Sequence, residues 1–490
     1  MKYAEMINKK TFNIICILLL ILLNIIVKSI YIDYSCIDVD EPTTILRATA
    51  SFPDLISMLK FETNQPLFFI IMHFWIKWFG IGAASLRFLP MLFNSLTVVF
   101  VYLIGKKYYN VLVALGASLL FTFSNLNISH AHDARVYGLL VFFGTASMYF
   151  YFCLIDAKSK RKYAIALTIT NILIAYSHLS GFFLLFLQAL YTLIIPSVRK
   201  TIFKEHLFSS LVLFITYLPY IIFMLSTAIT TANYMSKAVD SPDNSQLYTF
   251  FWEFSNGREN FLIFLSILLA GTIAALITWK KITLYDKMIL GWAIIPYFLM
   301  FAVSIKIRFN VLRFMIFITP GFYLAIMIAA NYLSRFNLKM IGLLITIICI
   351  FYMVKNTDIK FSPYNLKASE AVAAVRKHKS DSTRVYIVPQ WTEHVFAYHY
   401  NSELFKDYKN LEKNLNKDHI YSILTLKDMD KLSFDKVSDV LIIDGWNGLA
   451  IVDPKKKIYN TLLNKFGTID TVAKVRGYTV FHFGTNKLGK

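Results

Sequence analysis

TFNIICILLLILLNIIVKSIYIDYSCIDVDEPTTILR, residues 11–47, holds one long apolar run and, directly behind it, three carboxylates, Asp38, Asp40 and Glu41. The run 11–30 has the ~20 residues that a helix needs to cross the hydrocarbon of a bilayer. Lys2, Lys9 and Lys10 precede it and no small-x-small cleavage site follows, so it reads as a retained first membrane helix and not a signal peptide. The carboxylates therefore stand where a membrane helix comes out into water.

The rest of the chain continues this reading. Of 490 residues, 57% are hydrophobic and only 16% charged, with a mean hydropathy of +0.54, too apolar for a soluble globular protein. Eleven apolar runs qualify as spans, at about 11–30, 86–104, 111–128, 136–155, 163–179, 181–196, 207–227, 261–279, 288–305, 312–332 and 338–354. Beyond residue 355 charge density rises. The expected fold class is a polytopic α-helical membrane protein of about 11 transmembrane helices, residues 1–355, followed by a soluble α/β domain, residues 356–490. In that tail RVYIVPQ (384–390), HIYSILTL (419–426), DVLIIDGW (439–446) and TVFHF (479–483) read as strands, and ASEAVAAVRKH (368–378) as a helix.

The net charge of +20 does not point to nucleic acid, because Lys and Arg cluster in short connections between the apolar runs. A cytoplasmic N-terminus puts Lys106–Lys107, Lys158 to Lys162, Arg199 to Lys204, Lys280–Lys281 and Arg335 to Lys339 all inside. Loops 31–85 and 228–260, three shorter turns and the tail then lie outside. PLFFIIMHFWIKWFG, 66–80, is short for a span and rich in Phe and Trp, and it reads as a helix lying in the outer interface. Loop 228–260, with Tyr234, Tyr248 and Trp252, is the candidate lid. Cys16, Cys36, Cys153 and Cys349 show no metal-ligand spacing.

Sorted by side, the unusual polar residues gather outside: Asp38, Asp40, Glu41, Asn64, Gln65, His130, Asp133, Arg135, Tyr137, His178, Arg308 and Arg313. Ionisable groups at membrane depth are costly and mark functional sites. A carboxylate and arginines at an outer membrane surface suit a lipid-linked sugar phosphate. Its leaving group is a phosphodiester whose developing charge needs cations, while a carboxylate takes the proton of the attacking hydroxyl.

On these residues the chain resembles the GT-C glycosyltransferases of the family 39 type, which include protein O-mannosyltransferases and lipid A aminoarabinose transferases. The resemblance covers about the first 330 residues and rests on Asp40–Glu41, Pro66-Leu67-Phe68, Ala134-Arg135-Val136-Tyr137, Tyr176-Ser177-His178, and Arg313-Phe314 with Pro320. It implies Asp40 as catalytic base, Glu41 as its neighbour in the acceptor or metal environment, and Arg135 as a donor-phosphate contact; Arg308 and Arg313 are further candidates for contact with the donor phosphate. Tyr137, His178, Asn64 and Gln65 are candidate substrate contacts. Asn64-Gln65-Pro66-Leu67 stands where many relatives carry His-Pro-Pro-Leu, which leaves metal dependence open. Glu41, His130 and Asp133 are the candidate ligands of a divalent metal ion, should there be one.

The expected activity is inverting transfer of a sugar from a polyprenyl phosphate (undecaprenyl phosphate if the source is bacterial) to a lipid, glycan or protein acceptor. The expected location is the non-cytoplasmic face of the inner membrane. A diphosphate-linked glycan ligase and a flippase of lipid-linked glycans are the alternatives. A flippase would carry ionisable groups along a path through the helices, whereas the mid-helix positions here are nearly free of charge.

Overall fold

The computed structural model describes residues 2–38, 40–59, 65–238, 243–278, 282–307, 311–334, 339–360, 366–425 and 437–484. The chain divides into two compact units. The first comprises Met1–Tyr31, Ile56–Phe68 and Arg87–Phe361; the second comprises Ile32–Leu55, Phe69–Leu86 and Ser362–Lys490. Three short helices stand near the unit borders: α2 (Glu41–Thr49), α3 (Phe52–Leu59) and α4 (Leu67–Phe79).

The first unit is helical, and each of the eleven apolar runs falls on a helix. In order these are α1 (Lys2–Ser29), α5 (Ala83–Tyr108), α6 (Val111–Thr122) with α7 (Asn125–Ala131), α8 (Tyr137–Asp156), α9 (Arg161–Ala175), α10 (Gly181–Ile194) and α11 (Pro196–Ala238). After α12 (Gln246–Phe254) come α13 (Arg258–Ile277), α14 (Leu284–Ser304), α15 (Thr319–Leu333) led by a 3₁₀ stretch Leu312–Ile318, and α16 (Lys339–Lys355). By length and composition seven helices among the described residues can cross a bilayer, or eight if α6 and α7, bent by 56°, act as one span. α9, α10 and α16 have 15, 14 and 17 residues; at 1.5 Å per residue they reach about 21–26 Å, short of a ~30 Å core. α4 has 13 residues, too few to span, as its reading as a non-spanning helix requires. The segment 228–260 is more regular than the loop its sequence suggested, since α11 runs on to Ala238 and α12 takes up Gln246–Phe254.

With lipid as solvent, helices associate by close packing, and small residues set the distances. α15 is buried on nearly every face, between α13 and α14. A Cβ on Gly271 of α13 would lie 2.6 Å from the Ala329 Cα of α15, and one on Gly138 of α8 would lie 2.1 Å from the Pro90 carbonyl oxygen of α5.

The tail portion of the second unit carries a five-stranded sheet: β1 (Thr383–Val388), β2 (Ile420–Ser422), β3 (Asp439–Gly445), β4 (Thr468–Val475) and β5 (Tyr478–Gly484), in the order β2-β1-β3-β5-β4. β1 pairs in parallel with β2 and β3, β5 runs antiparallel to β3, and β4 antiparallel to β5. Helices α17 (Ala368–His378), α18 (Glu393–Asn401), α19 (Leu411–Lys417), α20 (Gly448–Val452) and α21 (Lys457–Phe466) surround it. Val440, Ile442 and Phe483 pack with Ile458, Leu462 and Phe466 of α21. Leu441 and Ile443, which alternate to the other face, are buried too, so both faces are covered, as near-continuous apolar strands demand.

Candidate active site

The carboxylate segment lies within the second unit, and the tail fixes it there. Asp38 is buried, and the Tyr478 hydroxyl at the start of β5 donates to both of its oxygens, at 2.9 and 3.1 Å. One residue earlier, the Ile37 carbonyl accepts from His399 Nε2 of α18 at 2.7 Å, and the Cys36 thiol donates to the Leu366 carbonyl at 2.9 Å. The Asp38 backbone N–H meets Glu41 Oε2 at 3.4 Å, and the Glu41 N–H meets the Asp38 carbonyl at 3.2 Å, which closes a tight turn onto α2. Burial and the adjacent Asp38 charge push the Tyr478 phenol far up, so it stays a donor at any working pH.

These bonds separate the three carboxylates by role. Asp38 and Glu41 are both 5% exposed, and Asp38 is engaged in holding the turn. Asp40 is half-buried at the N-cap of α2, and its side chain makes no capping bond to that helix. Asp33, just behind the first apolar run, is exposed. Asp40 is thus the one of the three that is half-buried rather than buried, on a braced backbone.

The first unit gathers most of the remaining candidates around residues 130–137, 178 and 313. Arg135 is 8% exposed, and its N–H donates to the Asp133 carbonyl at 2.6 Å. His130 Nδ1 lies 3.8 Å from Asp133 Oδ2. Burial works to raise the Asp133 carboxyl, but His130 together with the Arg135 and Arg313 charges outweighs it and holds the group below its ordinary value. The Arg313 guanidinium lies 5.7 Å from the ring centres of Tyr137 and Phe314. The His178 ring stands 4.6 Å from Phe314 and 6.0 Å from Tyr137.

His178 is neutral at pH 7. Burial first, then the Arg135 and Arg313 charges, bring its imidazole down to about 3. Its Nδ1 accepts from the Ser180 hydroxyl at 2.8 Å and the Ser180 N–H at 3.1 Å, which leaves the proton on Nε2. Gln65 Oε1 accepts from the Leu179 N–H at 3.1 Å, so Gln65 braces the turn that carries His178. Asn64 and Arg308 lie outside the described residues.

Two cations escaped the sequence reading. Lys28, in the last turn of α1, is fully buried, and its Nζ donates to Asn24 Oδ1 and Asn94 Oδ1, both at 2.7 Å, above the Phe121 ring. Arg87 is 1% exposed, and its charge with that of Lys28 adds to burial in bringing His132 down to about 4. A lysine inside an apolar run was itself the signal.

Among the described residues no group of three or more His, Cys, Asp or Glu gathers as a metal site. His130 and Asp133 offer two donors 3.8 Å apart, which is fewer than a closed divalent site takes.

No protein-family model matches the chain, and no curated protein matches it in sequence. Solved structures do match in fold. ArnT from Cupriavidus metallidurans in the apo state superposes with a TM-score of 0.59 at 10% identity, over 95% of this chain and 97% of that one. The same protein bound to undecaprenyl phosphate gives 0.60 at 11% identity, over 96% and 99%. The archaeal oligosaccharyltransferase AglB from Archaeoglobus fulgidus, in complex with an inhibitory peptide and a dolichol-phosphate, gives 0.50 at 11% identity, over 93% and 71%. Both proteins are GT-C superfamily members. The chain shares the ArnT fold, a set of apolar helices long enough to cross a membrane with a C-terminal sheet domain.

Proposed function

We propose that this protein is a membrane glycosyltransferase that moves a sugar from a polyprenyl-phosphate donor to an acceptor on the non-cytoplasmic face, with inversion. The observation that carries the reading is the cluster in the first unit, where two guanidiniums, Arg135 and Arg313, act together on a neutral His178 amid the Tyr137 and Phe314 rings. Guanidiniums suit a phosphodiester because they are always charged and match its oxygens in pairs.

In the reaction so read, the acceptor hydroxyl attacks the anomeric carbon from the face opposite the phosphate. The new C–O bond forms as the bond from carbon to phosphate oxygen breaks, and the hydroxyl proton passes to Asp40. The bonding electrons leave with the polyprenyl phosphate, whose added negative charge Arg135 and Arg313 stabilise. Glu41 keeps the turn in shape. The carrier lipids bound in the neighbouring structures, undecaprenyl phosphate and dolichol-phosphate, support a polyprenyl donor by analogy of fold. The basic clusters on alternate connections support an external site and, for a bacterial chain, the inner membrane.

The test is turnover of purified protein with a panel of radiolabelled polyprenyl-phosphate sugars. Release of sugar that disappears in Asp40→Asn is the expected result. A folded protein that ignores every monophosphate donor but consumes a diphosphate-linked one overturns this reading in favour of a ligase.

A further inference from the structure

The second unit carries a cleft that the transfer chemistry does not use. It has a volume of about 430 Å³ and is lined by Leu46 of α2, Trp391 in the 3₁₀ turn before α18, Glu393 and His394 at the start of α18, Lys409, and Glu412 of α19. That volume lies in the range of small-ligand sites. The lining is divided between apolar and polar groups. Leu46 and the Trp391 indole, 49% exposed, offer flat or rounded apolar surface. Glu393, buried and accepting from the Ser422 hydroxyl, and exposed Glu412 offer acceptors.

The cleft is acidic within a chain of net charge +20. Its one lysine, Lys409, is paired with Asp54 at 2.9 Å, and Asp54 also accepts from Tyr408. The Arg47 guanidinium of α2 also acts on His394, and Glu393 and Glu412 together outnumber it. An aromatic plane beside hydrogen-bond acceptors is what a pyranose needs: its C–H face lies on the indole while its hydroxyls donate to carboxylates. An anionic sugar would meet like charge.

Position adds the connection to the chemistry. α2 begins at Glu41, next to Asp40, and Leu46 follows five residues on, about 8 Å along the helix axis. That is a reach of one or two sugar units.

We infer that this cleft holds a neutral or amino-bearing pyranose of a glycan acceptor, one or two units away from the hydroxyl that is glycosylated. The word acceptor rests on the transferase reading above; the binding of sugar does not.

The experiment uses the full chain in nanodiscs, as wild type and as Asp40→Asn, without any donor. The probes are maltotriose, mannotriose and chitotriose, with trigalacturonate as the anionic control, followed by saturation-transfer NMR and tryptophan fluorescence. The expected result is that at least one neutral or amino-sugar trisaccharide binds both proteins. Its affinity should fall at least tenfold in Trp391→Ala and in Glu412→Gln, and trigalacturonate should not bind. Both side chains are exposed, so these variants keep their fold, which the thermal midpoint checks. Absence of binding by every trisaccharide, or binding that ignores Trp391 and Glu412, overturns the inference. So does quenching of the Trp391 emission by brominated lipid in the disc, which would make this residue a membrane anchor. Intact trisaccharide binding with no turnover on any donor would sink the transferase reading alone; intact turnover with no trisaccharide binding would sink this one alone.

Discussion

Asp38 and Asp40 are two residues apart and chemically alike, yet their surroundings differ. Asp38 spends both oxygens on the Tyr478 hydroxyl, whereas Asp40 stands half-buried at the mouth of α2. Asp40→Asn should lower kcat by about 10²–10⁴, the usual worth of a general base, with little change in thermal midpoint. Tyr478→Phe should instead destabilise by roughly 1–3 kcal/mol, the cost of leaving a buried acceptor short of a partner, and should lower kcat only through disorder of the turn. Kinetics and thermal melts on both variants separate the two roles; equal kinetic losses would give Asp38 and Asp40 a shared one. His178 makes a second prediction. Its ordinary value near 6.5 falls to about 3 in the folded protein, so below 6.5 the unfolded chain binds a proton that the folded one refuses. Stability is therefore complete above about pH 6.5 and declines as pH drops toward 3, with a slope of at most about 1.4 kcal/mol per pH unit for this group. His132, brought down to about 4, adds to it over most of the same window. His178→Gln should flatten the fall of the thermal midpoint between pH 6.5 and 4; an unchanged slope would assign the acid sensitivity elsewhere.

Helices carry the site by how closely they approach. Arg135 and Tyr137 lead into α8, and the very next residue, Gly138, touches the Pro90 carbonyl of α5 so closely that a Cβ would sit 2.1 Å from it. Gly138→Val should push α8 off α5, lower the thermal midpoint by an overpacking cost of about 1–3 kcal/mol, and weaken donor use by moving Arg135. Gly82→Ala, where a Cβ meets nothing within 4 Å, is the matched control and should be silent in both assays. At this scale much was legible in sequence, for a simple reason. In lipid a helix must satisfy its own backbone, so a long apolar run has one available structure, and each such run became a helix. The strands of the tail were read from their apolar runs, but β4, TIDTVAKV, was missed. Two of its eight residues, Thr471 and Lys474, are fully exposed and none is fully buried, so this edge strand lacks the apolar signal that marked β1 and β3. The residues 246–254 were missed as a helix because QLYTFFWEF has aromatic residues where a helix pattern would show aliphatic ones.

Across the whole chain, the pairings that sequence could not show are the long-range ones. Cys36 meets Leu366 from 330 positions away, and Asp38 meets Tyr478 from 440. No local pattern encodes such partners, because each side reads alone as an ordinary loop cysteine or strand tyrosine. The same holds for the aromatic and imidazole stretch 391–400, where His399 grips the Ile37 carbonyl from 362 positions away. These bonds assign the tail a duty toward the carboxylates within the second unit. α2 has nine residues, fewer than the ~12–15 at which an isolated helix even becomes marginal in water, and it packs on α18 and on the 3₁₀ stretch Ser402–Asn410. Ending the chain after residue 355 removes that packing along with Tyr478, His399 and Leu366. The eleven apolar runs should still insert into the membrane. Amides of residues 41–50, however, should lose protection by at least tenfold in hydrogen exchange, and turnover should vanish although Asp40, Arg135 and Arg313 are all still present. A truncated chain that keeps those amides protected and transfers sugar would mean that α2 and its carboxylates hold their geometry without the tail, and would reduce the sheet domain to acceptor binding.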